Sequence, residues 1–178
     1  MTDTTAAGVA EEEFLRLDRQ ICFSLNAASR AFGGVYRLVL KDLGLTYPQY
    51  LAMLVLWEHG ELPVKRIGAL LRLDSGTLSP LLKRLEAAGL VRRERLASDE
   101  RSVAVRLTPE GTALRVRALR VPRAIAAATG LGLDEIEDLH ARLGRLTEAL
   151  DRAAANGLAD EGAAGLAGHS AEEPEPST

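Results

Sequence analysis

The chain has 178 residues, enough for one domain with a substantial core but few for two. Aromatic residues make up only 4%, and apolar residues recur at three-and-four spacing over most of the length, which indicates helices and excludes an all-β fold. The net charge of -3 argues against a polyanionic partner, but between Lys65 and Arg106 ten cations stand against five acids, whereas residues 151–178 carry six acids and one cation. Nucleic-acid binding is therefore expected of the middle of the chain.

Signals for other classes of protein are absent from the sequence. No apolar run approaches the roughly 18 to 20 residues that cross a bilayer, and the acidic N-terminus does not resemble a signal peptide. The one cysteine, Cys22, cannot form an internal disulfide and is typical of a reducing compartment. We therefore expect a cytoplasmic protein without a membrane partner. No metal site or cofactor is expected, because the histidines fall on a predicted turn, a helix and the tail: His59, His140 and His169.

The N-terminal part is predicted to be a disordered lead-in, residues 1–10, followed by a long helix. This helix is expected to begin near Glu11, because apolar or small residues from Phe14 to Val35 follow the spacing of a coiled-coil seam. A seam of this length requires a partner helix.

A second helix is predicted over residues 47–59. Gly44 is expected to end the preceding segment, Thr46 to cap the new helix and Pro48 to lie in its first turn. Apolar residues occur on most sides of this helix, which is typical of a buried scaffold element.

The middle of the chain contains short elements after a predicted turn at residues 60–63. Gly89 is a good helix C-cap, and the last of these runs alternates with the period of two of a half-buried strand. Two short helices and a two-stranded ribbon with a polar loop, residues 97–102, form a winged helix-turn-helix. In chain order, the helices and then the strands are expected at residues 64–71, about 75–88, 90–96 and 103–108.

The C-terminal part is predicted to be helical again. Thr108 and Pro109 provide a cap and a first helical residue, and Pro122 is expected to kink the helix that follows. A last helix, residues 133–153, carries a leucine stripe, and an acidic, disordered tail is expected over residues 154–178.

These elements predict a mainly α fold with a small β-wing. Residues 61–108 form the winged helix-turn-helix for DNA binding, and residues 11–60 and 109–153 form a helical dimerisation region. Dimerisation is expected because seam-bearing helices at both ends of the chain need a surface to cover them, which self-association supplies.

The second helix of the winged unit is expected to enter a DNA major groove. With its leucines inward, its opposite face carries small hydroxyl residues and cations that suit base edges and phosphates. An arginine near the wing tip suits a minor groove, an acid there can hold the loop, and strand arginines can meet phosphates. For any single arginine, a solvated basic surface is the alternative. The predicted DNA-binding residues are Ser75, Gly76, Thr77, Ser79, Pro80, Lys83, Arg84, Arg93, Arg95, Asp99 and Arg101.

From about Phe14 to Arg152 the sequence resembles the MarR family of transcriptional regulators. The most family-specific pieces are Asp-Glu-Arg at residues 99–101 and Leu-Thr-Pro-Glu-Gly at residues 107–111. Within the family it is similar to the organic hydroperoxide resistance regulators, OhrR. The runs that carry this closer similarity are Gly-Leu-Thr-Tyr-Pro-Gln-Tyr, Leu-Val-Leu-Trp-Glu and Leu-Asp-Ser-Gly-Thr-Leu-Ser-Pro-Leu-Leu-Lys-Arg-Leu-Glu, at residues 44–50, 54–58 and 73–86.

The resemblance implies a homodimer that represses transcription by binding a pseudo-palindromic operator in double-stranded DNA. It also implies a redox site, because a cysteine matching Cys22 senses peroxide in OhrR and tyrosines matching Tyr36 and Tyr47 hydrogen-bond to it across the dimer. With one cysteine, the chain matches the type that needs a small cellular thiol to form a mixed disulfide, which releases the operator. Taken alone, a lone cysteine is more often an inert small hydrophobe, and the tyrosines also fit interface packing.

Two other functions are compatible with parts of the sequence. One is a MarR-type repressor released by a small aromatic acid bound between the dimer helices, with Cys22 not sensing. The other is a thiol peroxidase, which is disfavoured because the chain offers no resolving cysteine, no glycine-rich phosphate loop and no metal cluster. We therefore do not expect an enzyme.

Overall fold

The computed structural model describes residues 13–96 and 99–157. The lead-in at residues 1–10, the tail from residue 158 onwards and the loop residues 97 and 98 lie outside the described residues, so the disorder predicted for the two ends stays a prediction. The predicted fold class, mainly α with a small β-wing, is confirmed. The helices are α1 (Ile21–Val39), α2 (Tyr47–His59), α3 (Val64–Leu71), α4 (Ser75–Ala87), α5 (Pro109–Ala118), α6 (Arg120–Thr129) and α7 (Leu133–Ala155). The strands are β1 (Leu62–Pro63), β2 (Val91–Leu96) and β3 (Asp99–Leu107), and 3-10 turns cover Leu17–Arg19 and Lys41–Leu43.

The first long helix begins later than the sequence indicates. The prediction of one continuous helix from near Glu11 is wrong, because the backbone turns before α1 starts at Ile21. Local hydrogen bonds compete with the helix there: the side-chain amide of Gln20 donates to the carbonyl oxygens of Phe14 and Arg16. Bonds of this kind offer the backbone an alternative to helical pairing. Phe14 therefore lies outside the apolar face of α1.

Helix α2 is the buried scaffold that the sequence predicts. The left-handed Gly44, with φ of 66°, ends the preceding turn. The backbone N–H of Thr46 donates to the side-chain oxygen of Gln49 at 2.8 Å, which completes a capping box, and Pro48 occupies the first turn. Its buried side chains lie on most sides of the helix: Tyr50, Ala52, Met53, Val55, Leu56 and Trp57.

A three-stranded antiparallel sheet with the strand order β1-β3-β2 forms the β-part of the winged unit. The prediction of a simple turn at residues 60–63 is wrong, because Leu62 pairs with Val105 in β3. A two-residue strand is too short to show an alternating pattern in the sequence. The predicted loop is also too long: β3 begins at Asp99, because Leu96 pairs with it across the tip and extends the ladder.

The core of the winged unit is continuous with α2. The four leucines of α4 that the sequence places inward are all buried, and the opposite face of the helix is exposed. Burial of such leucine side chains is worth about 1.5–3 kcal/mol each. The fully buried side chains from α3, α4 and the sheet are Ile67, Leu78, Leu82, Leu85, Val91 and Val105.

Thr108 fixes the connection between the wing and α5. Its hydroxyl donates to the carbonyl oxygen of Gly89 at 2.6 Å and accepts the backbone N–H of Gly111 at 3.0 Å. Its own N–H donates to the carbonyl oxygen of Leu90 at 3.1 Å. Glycine is required at position 111, because a Cβ there would lie 2.0 Å from the Leu90 carbonyl oxygen. The end of α4, the sheet and the start of α5 therefore meet in one tight joint.

The helix after the wing breaks rather than kinks. The sequence predicts a kink at Pro122, whereas α5 ends at Ala118 and α6 starts at Arg120. The break lies before the proline because its ring clashes with the carbonyl four residues earlier, which belongs to Ala118. Asp42 joins both pieces: its backbone carbonyl oxygen accepts from Arg117, and its carboxylate accepts from Arg120 at 2.8 Å.

Helix α7 belongs to a compact unit of its own that starts at Gly130. Its N-terminus is closed by Glu135, whose carboxylate accepts the backbone N–H of Gly132 at 2.8 Å. In the described ranges, no helix is both long and apolar enough to pass through a bilayer. The large apolar side chains that α7 exposes lie along the predicted stripe: Leu133, Leu139, Leu143 and Leu150.

Candidate DNA-binding surface and redox site

The start of α4, the predicted recognition helix, is fixed by Asp74. One carboxylate oxygen accepts the backbone N–H of Thr77 and the other accepts its hydroxyl, both at 2.9 Å. These bonds, the backbone bond above all, hold the pKa of Asp74 below its ordinary value. The charged cap satisfies an otherwise unpaired N–H and fixes the first turn of the helix, which is the part expected to approach base edges.

The exposed face of α4 consists of the predicted DNA-binding side chains. The leucines face the core, and α4 stays helical through Pro80. Small residues lie at the N-terminal end, where a helix can approach DNA closely, and the cations follow one turn later. The exposed residues are Ser75, Gly76, Thr77, Ser79, Pro80, Lys83 and Arg84.

The wing, formed by β2 and β3, carries the remaining predicted residues in three different situations. Arg95 is exposed on β2, next to the tip. Arg93 is turned onto Glu86 of α4, to which its side chain donates at 2.8 and 2.7 Å. Asp99 and Arg101 lie in β3, but their side chains are outside the described residues. Roles for these four in DNA binding stay predictions.

A groove of about 450 Å³ lies between α3, α4 and the sheet. Its polar lining includes Ser75, Ser79 and Arg93 from the predicted surface, and it adds Lys65 from the first turn of α3. Sequence reasoning counted Lys65 only as part of the basic middle of the chain. Lys65 lies at the start of the first helix of the helix-turn-helix, and this helix crosses the DNA backbone in such motifs. That position is the signal from which a phosphate contact by Lys65 could have been predicted.

Cys22 lies in the first turn of α1 and is exposed in the protomer. Tyr36 is on the same helix but fourteen residues later, which corresponds to about 21 Å along the helix axis. The predicted group of three residues therefore does not assemble within one protomer. Each protomer has a thiol near one end of α1 and an aromatic group near the other.

Tyr36 and Tyr47 do come together. Their ring centroids lie 4.3 Å apart, and Tyr50 extends the group, with its ring 6.1 Å from that of Tyr36. Burial, and then the two neighbouring tyrosines, raise the pKa of Tyr36 above its ordinary value. Burial raises the pKa of Tyr50 as well. A raised phenol pKa keeps the hydroxyl protonated, so Tyr36 stays a hydrogen-bond donor at neutral pH.

Comparison with known proteins assigns the family. The chain is 44% identical over 138 residues to the organic hydroperoxide resistance transcriptional regulator of Bacillus subtilis, with 78% of this chain and 94% of that protein covered. The chain belongs to the MarR/SarA family of winged-helix transcriptional regulators. The family model for the transcriptional regulator SarA/Rot matches residues 34–115 of this MarR/SarA regulator, from within α1 to within α5.

Other relatives of this MarR/SarA regulator agree with that assignment. It is 50% identical to the HTH-type transcriptional regulator TtmR of Methylorubrum extorquens, with 72% of this chain and 71% of that protein covered. The solved structure of reduced AbfR bound to DNA, a protein of Staphylococcus epidermidis, matches with a TM-score of 0.67 and 38% identity over 79% of this chain and 98% of that one. This MarR/SarA regulator is therefore a DNA-binding transcriptional regulator.

Proposed function

We propose that this regulator represses transcription as a homodimer and leaves its operator when an organic hydroperoxide oxidises Cys22. The observation that carries the proposal is the exposed Cys22 in α1 together with the paired Tyr36 and Tyr47, in a chain 44% identical to an organic hydroperoxide resistance regulator. The domain assignment belongs to the same proposal: residues 61–108 bind DNA, and residues 11–60 and 109–153 dimerise.

The DNA-binding part of the proposal assigns one role to each element. The N-terminal face of α4 enters the major groove, the wing reaches an adjacent minor groove with Arg101, and Arg95 on β2 contacts a phosphate. Lys83 and Arg84 contact phosphates on either side of the helix. Two copies related by a twofold axis then contact half-sites one helical turn, about 34 Å, apart, which requires a pseudo-palindromic double-stranded operator.

Dimerisation is supported by the apolar side chains that α1 leaves exposed. Ile21 is 65% exposed and Leu38 is 75% exposed, values that are unfavourable for large apolar residues of a lone protomer. The separation between Cys22 and the tyrosines supports it independently. Because about 21 Å of helix separates them in one chain, the hydroxyls of Tyr36 and Tyr47 reach only the cysteine of a second copy. We therefore propose that each sensing site contains groups from both subunits.

The proposed reaction begins at the Cys22 sulfur. The thiolate attacks the distal oxygen of the hydroperoxide, an S–O bond forms, the O–O bond breaks, and the alkoxide leaves and takes up a proton as an alcohol. The sulfur loses two electrons and the peroxide gains them. The tyrosine hydroxyls donate to the thiolate and to the peroxide, which stabilises the attacking anion and orients the O–O bond. The first product is a sulfenic acid and the second is an alcohol.

A small cellular thiol then converts the sulfenic acid into a mixed disulfide. Its thiolate attacks the Cys22 sulfur, an S–S bond forms, and hydroxide leaves as water. We propose that this bulky adduct, and not the oxygenated sulfur, separates the subunits enough to release DNA. The solved structure of overoxidised AbfR is a complex with DNA, so that relative binds DNA in its overoxidised form, which supports this choice of trigger. Attack by a second small thiol restores the reduced regulator.

A DNA gel shift with the reduced full chain tests the proposal, using a duplex that the parent has selected from a random-sequence pool. Parent and Cys22→Ser proteins are treated with an organic hydroperoxide, with hydrogen peroxide, or with neither, each with and without a small thiol. We expect release from the parent only, only when the organic hydroperoxide and the thiol are both present, and reversal by excess thiol. Release of Cys22→Ser by a phenolic acid, with no peroxide effect on the parent, contradicts the proposal and supports a small-ligand repressor.

A peroxide-consumption assay separates sensing from catalysis. We propose that the regulator is not an enzyme, so that it consumes about one hydroperoxide per Cys22 in each oxidation. Steady turnover of hydroperoxide with excess small thiol and without DNA contradicts this part of the proposal, because a thiol peroxidase turns over under these conditions.

A further inference from the structure

The recognition helix and the wing are joined by one pair of oppositely charged side chains. Glu86 lies in the last turn of α4, and one of its oxygens accepts the backbone N–H of Arg93 at 3.0 Å. Its other oxygen accepts the Nε and an Nη of the Arg93 guanidinium at 2.8 and 2.7 Å. Arg93 itself is held in β2 opposite Val105 of β3. The carboxylate therefore fixes both the backbone and the side chain of the strand beside the helix.

This pair is less exposed to solvent than the pair between Arg106 and Glu94 in the wing. The side chains of Arg93 and Glu86 are 26% and 35% exposed, whereas those of Arg106 and Glu94, which pair within the wing, are 46% and 54% exposed. Solvent screens the second pair more strongly, so it contributes less. The hydrogen bonds from Arg93 also hold the pKa of Glu86 below its ordinary value, which keeps the carboxylate charged.

The negative charge of Glu86 is unfavourable for DNA binding on the proposed recognition helix. It follows Lys83 and Arg84 on the helix that faces the groove, and a carboxylate there repels phosphates. The contact also occupies two of the three nitrogens of the guanidinium that the sequence assigns to phosphate binding. Both facts have one explanation if the pair acts on geometry and not on charge.

We propose that Glu86 is a positioning residue for DNA recognition, and that it sets the spacing between α4 and the wing through Arg93. Helix α4 and the wing tip can contact their two DNA grooves at the same time only if they are held at one distance and orientation relative to each other. A displacement of about 1 Å is enough to impair a site of this kind. Arg93 then acts through Glu86 and is not a free phosphate contact. The inference rests on the DNA-binding surface proposed above and is independent of peroxide sensing.

The test uses Glu86→Gln, because an effect of charge and an effect of positioning predict opposite changes in the affinity for DNA. Removing a negative charge beside DNA tightens binding if charge alone matters, whereas loss of positioning weakens it. With reduced protein we expect about tenfold weaker binding to the duplex selected by the parent, a size typical of coupled neighbours. Binding to a random duplex of equal length is expected to be unchanged or slightly tighter. Glu94→Gln is the matched control, with binding to both duplexes within about twofold of the parent.

The salt dependence of binding separates positioning from a phosphate contact. A phosphate contact at Arg93 predicts that Arg93→Gln weakens binding to both duplexes and lowers the salt slope by about 1. If Arg93 acts by positioning, Arg93→Gln is expected to weaken binding to the selected duplex only. The dependence of its affinity on salt concentration is then the same as that of the parent. A partly unfolded sample would bind both duplexes more weakly by the same factor. Thermal unfolding of each variant therefore checks that the protein is folded under the conditions of the binding assay.

A charge swap keeps the test decisive if a single variant is unstable. The double variant Glu86→Arg with Arg93→Glu restores the side-chain ion pair with its polarity reversed. It does not restore the bond to the backbone N–H of residue 93, because arginine has no acceptor, so we expect it to recover part of the lost preference for the selected duplex. The proposal is overturned if Glu86→Gln binds the selected duplex as tightly as the parent, or if the swap binds no better than Arg93→Gln. Failure of the parent to bind any selected duplex instead overturns the proposed DNA-binding surface.

Discussion

The indole N–H of Trp57 donates a 2.9 Å hydrogen bond to the carbonyl oxygen of Gly111, and the contact is buried. It joins the scaffold helix α2 to the first turn of α5, immediately after the wing. Gly111 in turn belongs to the joint that Thr108 forms with Gly89. The bond therefore ties α2 to the joint at the end of the wing, in addition to the shared core, and substitutions there report on how firmly this joint is held.

Replacing Trp57 by Phe removes the buried donor and keeps an aromatic ring. We expect the free energy of unfolding to fall by about 1–3 kcal/mol, the cost of leaving a buried carbonyl with one partner fewer, plus a small loss of packing. Urea denaturation at one fixed protein concentration measures it, because the stability of a dimer depends on concentration. Thr147→Val, which removes an exposed hydroxyl on α7, is the control and is expected to stay within about 0.5 kcal/mol of the parent. Equal stability of the two variants contradicts the role given to Trp57.

Two glycines in helices are expected to respond to alanine with opposite signs. A Cβ at Gly111 would meet the Leu90 carbonyl oxygen at 2.0 Å, so Gly111→Ala displaces the backbone of the joint and is expected to lower stability by about 2 kcal/mol or more. Gly144 in α7 has open space around its Cβ position, so Gly144→Ala is expected to raise stability by about 0.5–1 kcal/mol. The difference in denaturation midpoint between each variant and the parent measures the two changes in stability. A stabilising Gly111→Ala is incompatible with the described joint.

The pair between Glu86 and Arg93 predicts a pH dependence of stability. Because the folded-state pKa of Glu86 is lowered by Arg93, its contribution is fully present above the unfolded pKa of about 4.3 and is lost as the pH falls through the lower folded value. Glu86→Gln is therefore expected to be less stable than the parent at pH 7, with a gap that closes as the pH drops below about 4. Denaturation of both proteins over this range measures the gap. A gap that stays constant or widens with acid contradicts the assignment.

Removing the hydroxyl of either paired tyrosine is expected to slow sensing without affecting DNA binding. Tyr36→Phe and Tyr47→Phe each remove a donor to the anionic sulfur and are expected to slow loss of the free thiol under organic hydroperoxide by roughly tenfold. The reduced variants are expected to bind DNA like the parent. Tyr50→Phe, which removes a hydroxyl from the same aromatic group, is the control and is expected to react at the parent rate. If all three react equally, the two tyrosines have no part in sensing.

The local parts of the fold could be predicted because their signals are local. The helix cap at Thr46, the inward leucines of α4 and the alternation in β3 each depend on residues within a few positions of one another. The late start of α1 was missed because Gln20 forms hydrogen bonds with preceding carbonyl groups that compete with a strong apolar pattern. The strand β1 was missed because its pairing with Val105 is set by the tertiary fold and not by its two residues.

The candidate site could be predicted only in part for a similar reason. The exposed face of α4 follows from helical periodicity, so its residues were found together. The partner of Arg93 was not found, because Glu86 lies on another element and nothing in the sequence spacing joins them. The separation of Cys22 from Tyr36 follows from the length of α1, and we propose that the group that completes the site lies in a second subunit.

We propose that a thiol adduct on Cys22 releases DNA. One titration tests it directly: samples of the DNA-bound parent receive increasing organic hydroperoxide with a fixed small thiol, and each sample is divided between intact-mass spectrometry and fluorescence anisotropy of the labelled duplex. We expect the released fraction of DNA to rise in step with the fraction of Cys22 that carries the thiol. Full modification with DNA still bound, or release while Cys22 is unmodified, contradicts it.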